Sequence, residues 1–179
     1  MNTSAGPDSG SNPTAPVGPG RILLGLNTFG DVGVFPDGHP VPHAQVLRQL
    51  LEQAELADEV GLHAFGVGEH HRRDFAVSAP EVFLAAAAAR TKRIRLGSAV
   101  TVLSSDDPLR VFQRFATVDA ISNGRAEVML GRGSFIESFP LFGLDLADYE
   151  VLFEEKLELF DKARAQKPIH WEGRTRPAI

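Results

Sequence analysis

Cysteine is absent from the 179 residues, which excludes a disulfide framework and any thiolate metal site and fits a reducing, cytoplasmic compartment. Excess positive charge is missing too. The formal net charge is −5 with both signs interspersed, so no basic stripe can neutralise a phosphate backbone, and nucleic acid is excluded as a partner. No apolar run approaches the ~20 residues that span a bilayer. The richest, Val82–Ala89, is far shorter, so a membrane-spanning role is excluded. The basic start and hydrophobic centre of a signal peptide are also lacking. Residues 1–20 are instead dominated by Gly, Pro, Ser, Thr and Asn, a composition that predicts a disordered leader.

What is present is an ordinary globular composition, 43% hydrophobic, sufficient for one substantial core over residues 21–179. Along that stretch one order recurs: an apolar strand-like run, a polar tip, then a segment of helical period. Ile22–Thr28 reads as the first strand and Phe29–Pro42 as its loop. Val46, Leu47, Leu50, Leu51, Ala54, Ala57 and Val60 then fall three or four apart, with Gly61 at the C-cap position. The second strand, with Leu62, Ala64, Phe65 and Val67, empties into Glu69–Ser78, and Ser78 is expected to open a helix carrying Pro80 and Glu81 in its first turn. Ile94–Leu103 is the third strand. Its helix opens at Asp107-Pro108 and stops at Asn123-Gly124. Ala126–Leu130 is the fourth strand, followed by Gly131-Arg132-Gly133-Ser134, a Phe-rich loop, and a helix over Asp148–Ala163 with Val151, Leu152, Leu157 and Phe160 on one face. This alternation predicts an α/β fold with a parallel sheet of the (β/α) TIM-barrel type, its polar tips at one end. Four units are present, whereas a closed barrel of eight needs roughly 250 residues.

Two tips carry chemistry. Glu69-His70-His71 places titratable groups at a strand end. On an extended segment consecutive side chains point to opposite faces, so one ion could not easily take both histidines, and no metal site is assigned. Two readings stay open: a histidine that anchors the loop by hydrogen bonding, or an imidazole titrating near neutrality, biased by Glu69, that exchanges a proton with a molecule bound at the strand ends. At the other tip, Gly131 and Gly133 would let a planar or phosphorylated ligand approach the backbone while Arg132 offers a fork of donors. A tight turn with a surface arginine is the alternative. The spacing is not that of a dinucleotide-binding Gly-x-Gly-x-x-Gly motif.

Four segments stand in a telling order: Leu24-Gly25-Leu26-Asn27-Thr28, Gly68-Glu69-His70-His71, Gly97–Leu103 followed by Asp107-Pro108, and Ser122-Asn123-Gly124-Arg125 leading to Gly131-Arg132-Gly133. Over Ile22–Phe160 the chain resembles the N-terminal half of the bacterial luciferase-like, flavin-dependent monooxygenases. That resemblance implies a (β/α)8 barrel that binds reduced FMN at the C-terminal strand ends, the FMN delivered by a separate flavin reductase, and oxidises a small organic substrate with O2. A deazaflavin (F420)-dependent oxidoreductase and a non-catalytic flavin-binding or assembly module are the alternatives it leaves. It further implies that His70 is a catalytic base with Glu69 and His71 as neighbours, that Ala99-Val100 forms a cis peptide beneath the flavin ring, and that Arg132 reaches the flavin phosphate. Asn27 and Thr28 would face the ring, with Gly131 and Gly133 on the same rim. Gly131 stands where the bioluminescent enzymes carry a reactive cysteine, so light emission is not implied. A homodimer through the first-half helices is a further implication, and the small residues of Ala85–Ala89 suit close helix contact. Four units alone would leave strand edges unpaired and an apolar inner face, to be completed by the missing barrel half or a partner supplying it.

Overall fold

The computed structural model describes residues 22–179; the expected leader, residues 1–20, lies outside them. Four strands, β1 (Gly25–Thr28), β2 (Ala64–Val67), β3 (Arg95–Val102) and β4 (Ala126–Gly131), form one parallel sheet in the order β1-β2-β3-β4. Between them run α1 (His43–Glu59), α2 (Pro80–Arg90) and α3 (Pro108–Ser122). Beyond β4 come a single helical turn, α4 (Ser138–Leu141), and α5 (Tyr149–Arg164). No helix among the described residues is long and apolar enough to cross a membrane.

The period-two alternation of the strands decides which face the helices cover. Leu26, Phe65, Leu96 and Ala126 form one row across the sheet, and Thr28, Val67, Ser98 and Val128 another on the same face. Phe65, Val67 and Leu96 are buried there against Leu50 and Ala54 of α1, Leu84 and Ala87 of α2, and Val111 and Phe115 of α3. The rows between carry Gly25, Ala64 and Arg95, then Asn27, Gly66, Gly97 and Glu127, on the opposite face. That face bears an open cleft of about 460 Å3. The expectation of an apolar inner face holds in part: the cleft is lined by Ala64, Ala99 and the exposed Met129 as well as by Asn27 and Glu127. Alternation sends the bulky Phe65, Val67 and Leu96 to the helix side and leaves mainly small residues inside, with Met129 and an Arg95 Nε–Glu127 Oε1 ion pair at 2.5 Å.

The ends of α3 follow their capping chemistry and the start of α2 does not. Asp107 caps α3, its carboxylate accepting from the N–H groups of Leu109 and Arg110, and Asn123 ends that helix in the left-handed conformation at φ 59°. Ser78 does not cap α2. Ala79 holds the N-cap position with extended backbone and Pro80 is the first helical residue, leaving Ser78 one residue too early. In α5 the buried side chains are Leu152, Leu159, Phe160 and Ala163, while Leu157 is exposed. Leu157 follows Leu152 by five residues, which turns it well off the packed face, whereas seven residues complete about two turns.

At the N-terminal ends of β3 and β4, two buried charges hold the connections. The Asp58 carboxylate accepts from the N–H groups of Lys92, Arg93 and Ile94 at 2.7–2.9 Å. Arg125 uses all five of its donors: Nε on Ser122 O, Nη1 on Thr91 Oγ1 and Ile94 O, and Nη2 on Ala88 O and Thr91 O. One guanidinium thus gathers the C-terminal carbonyls of α2 and α3 and the start of β3. Burial works against the charge of Asp58, yet donation from the three N–H groups outweighs it and holds the carboxyl below its ordinary value. Its stabilisation is complete above the unfolded carboxylate pKa of about 3.9 and is lost as pH falls through the lower folded value.

Arg125→Lys keeps the charge but abandons buried carbonyls, each worth about 1–3 kcal/mol when left unpaired. Urea unfolding should show a loss of at least ~2 kcal/mol, and a value within ~0.5 kcal/mol of wild type would contradict this role. Asp58→Asn should lower stability at pH 7 and flatten its decline below about pH 4, measured by melting temperature against pH. An unchanged acid limb would count against the carboxylate.

Candidate active site

The loops after all four strands meet at the C-terminal end of the sheet, around a cavity of about 310 Å3. Phe29 follows β1, Glu69, His70 and His71 follow β2, Ala99, Val100 and Val102 belong to β3, and Gly133, Phe135 and Glu137 follow β4; all of them line it. The Ala99–Val100 peptide bond is cis. Close approach explains Gly68: a Cβ there would run into the Phe29 ring and lie 3.1 Å from Ala99 O. Gly133 adopts φ +83°, a left-handed conformation that turns the β4 loop back over the cavity.

Glu69 ties two strand ends together. Its N–H donates to Val100 O at 3.1 Å, its Oε2 accepts from the Val102 N–H at 2.9 Å, and its Oε1 accepts from His71 Nε2 at 2.8 Å. His70, next in sequence, turns elsewhere. Its ring stacks on Phe75 at 4.2 Å and meets Phe29 and Phe135 edge-on at 5.0 and 4.9 Å. The backbone N–H of His70 donates to Val77 O. Arg72, paired with Asp74 through two hydrogen bonds, lies over Phe135 at 4.9 Å. His70 is consequently only 8% exposed. The Glu137 carboxylate is 4.0 Å from its Nδ1.

The family model for luciferase-like monooxygenases matches residues 20–178. The chain belongs to that family. It is 37% identical over 128 residues to the 4-hydroxyprotoasukamycin monooxygenase of Streptomyces nodosus subsp. asukaensis, covering 69% of this chain and 34% of that protein. The monooxygenase RslO1 of Streptomyces bottropensis superposes with a TM-score of 0.78 at 31% identity, over 88% of this chain and 47% of that one. Two more distant structures share the fold alone. One is the oxygenating constituent of 3,6-diketocamphane monooxygenase from Pseudomonas putida in complex with FMN, with a TM-score of 0.78, 21% identity and coverage of 88% and 43%. The other is the coenzyme F420-dependent tetrahydromethanopterin reductase of Methanopyrus kandleri, with a TM-score of 0.63, 20% identity and coverage of 85% and 43%. The chain spans between a third and a half of the length of these proteins.

The structure sorts the residues that the resemblance implies. Glu69, His70, His71, Ala99, Val100 and Gly133 line one cavity, and Asn27 lines the adjoining cleft, which shares Ala99 with it. Thr28 instead accepts from the Gly30 N–H through Oγ1, and Gly131 packs under Val100, where a Cβ would collide. Arg132 stands apart. Its Nη1 pairs with Glu150 Oε2 at 3.1 Å and its guanidinium lies over Phe153, outside the cavity lining. The sequence left open which imidazole Glu69 would bias, and its carboxylate bonds that of His71. Phe29, Phe75, Phe135 and Glu137 were not singled out from sequence. Only the density of phenylalanine in the flanking loops hinted at an apolar lining.

The two histidines are pushed in opposite directions. Burial lowers the His70 pKa, opposed by Glu137 and reinforced by Arg72. The hydrogen bond to Glu69 raises that of His71. His70 is therefore neutral at pH 7, while His71 holds its proton to higher pH and contributes stability that is full below the unfolded value of about 6.5 and lost as pH rises through the folded one. An NMR titration should place the His70 midpoint below about 6.5 and that of His71 above it. Coincident midpoints would contradict the two environments.

Proposed function

We propose that this rim is the flavin-facing half of a monooxygenase active site, where reduced FMN lies against the uncovered face of β2 and β3 and His70 exchanges a proton as a small organic substrate is oxidised by O2. The observation that carries this reading is the floor of the cleft. Gly66 and Gly97 are register partners there, Ala99 continues the strip, and the cleft meets the His70 cavity at Ala99. A Cβ at position 66 would collide with the Asn27 side chain. Such a floor suits a flat ring that must rest on backbone. Bound there, a reduced flavin supplies the electron pair with which O2 is activated.

The chain's own residues supply the surroundings. Phe29, Phe75 and Phe135 shield the neutral His70 imidazole from water and leave it a proton acceptor. The Glu69–His71 pair and the Glu69–Val102 bond hold the β2 and β3 ends at fixed spacing. A mostly apolar lining suits a substrate of low polarity. A separate reductase supplies reduced FMN, and the remaining barrel strands complete the phosphate site. The FMN complex of the diketocamphane enzyme supports this reading. The F420-dependent neighbour supports a second one, in which a deazaflavin transfers hydride without O2.

The test is a fluorescence titration with FMN and a measurement of O2 uptake with reduced FMN, on this chain alone and co-expressed with the C-terminal half of a full-length relative. Saturable FMN binding is expected, with O2 uptake in the completed barrel. His70→Ala should lower turnover by about 100-fold with FMN affinity little changed. No FMN binding in either form would sink the proposal, and F420 binding without O2 uptake would favour hydride transfer.

A further inference from the structure

We propose that Glu137 is the positioning residue for His70, its carboxylate accepting a hydrogen bond from Nδ1–H so that Nε2 is held as the proton-accepting atom. The inference rests on His70 having the role given above, and it names what orients that ring.

The geometry stands on three observations. The Glu137 Oε1 to His70 Nδ1 distance is 4.0 Å, with both side chains at the cavity. Among the described residues the Glu137 carboxylate accepts no hydrogen bond, so it is uncommitted, unlike Glu69. Its segment is anchored at both ends: Tyr149 donates its hydroxyl to Gly133 O at 2.8 Å, and the fully buried Phe139 stacks on the same tyrosine at 5.6 Å. Phe135, between the anchors, already touches the His70 ring edge-on. The two groups would have to close by about 1.2 Å to make a charge-assisted hydrogen bond of about 2.8 Å. Catalytic hydrogen bonds are commonly long in the unliganded protein and shorten when the site fills.

The chemistry requires such a partner. Three phenyl rings give His70 no polar contact, so its tautomer is unspecified unless a group at Nδ1 selects it. The charged groups facing the ring are Glu137, Asp31 and Asp74, which favour its protonated form, and Arg72, which opposes it. Arg72 and Asp74 are bonded to each other, and Glu69 is committed to His71 and Val102. Asp31 and Glu137 remain, and of the two it is Glu137 whose carboxylate lies within 4.0 Å of the ring. When His70 takes a proton from a bound reactant at Nε2, Nδ1–H points at Glu137 and the imidazolium is stabilised without any second proton transfer.

The first measurement needs no ligand. In a 15N NMR titration, wild type should show the Nδ1–H tautomer and Glu137→Gln should lose that bias and move the His70 midpoint to lower pH, with the His71 midpoint, set first by its hydrogen bond to Glu69, moving less. In the barrel completed as above, Glu137→Gln should lower kcat roughly tenfold, shift the acid limb to lower pH and leave KM nearly unchanged. Glu137→Asp, which keeps the charge, should recover part of both effects and serves if the Gln variant is unstable. A His70 tautomer and midpoint indifferent to Glu137→Gln, or to Glu137→Asp in its place, overturns the proposal. Failure of FMN binding with the NMR response intact would instead remove the flavin reading and leave the His70–Glu137 pair standing.

Discussion

Five N–H groups of one buried guanidinium hold the lower end of this sheet together. Arg125 collects main-chain carbonyls from the ends of α2 and α3 and from the entry to β3, while Asp58 takes the three N–H groups that lead into that strand. Each is a charge withdrawn from water, tolerable only because its hydrogen-bonding capacity is filled. With the strand entries set in this way, β2, β3 and β4 run in a defined parallel register, and their C-terminal tips emerge at one level. The cavity at the top depends on that alignment.

Parallel register also divides labour between the faces. The helix-covered rows carry Phe65, Val67 and Leu96 and build the core. The uncovered rows carry glycine, alanine and a few polar side chains, so stability and ligand access do not compete for the same residues. β1 and β4 are the sheet's outer strands, and Leu26, on the helix side of β1, remains half exposed, as expected where a further unit would pack.

At the rim, adjacent histidines meet opposite surroundings. His71 sits against a carboxylate and gains proton affinity, and His70 sits among aromatic rings and loses it. Two residues of the same type thereby acquire different tasks, one holding strand ends together and one left free to take a proton.

The sequence by itself determined the elements and their order, because hydrophobic period and end signals such as Asp107-Pro108, Asn123-Gly124 and Gly61 are local properties of the chain. It also determined that Glu69, His70 and His71 stand at a strand end, and the family likeness carried by four short segments added the expectation of a flavin-binding rim. What depends on neighbours distant in the chain it left open or misread. Which histidine Glu69 would bond, that Leu159 rather than Leu157 packs inward on α5, and that small residues line much of the inner face were decided by register and packing. Phe75, Phe135 and Glu137 carry no local mark of function. Only the tertiary structure brings them to His70, because a low-dielectric cage is a property of the space several loops enclose together and of no single segment.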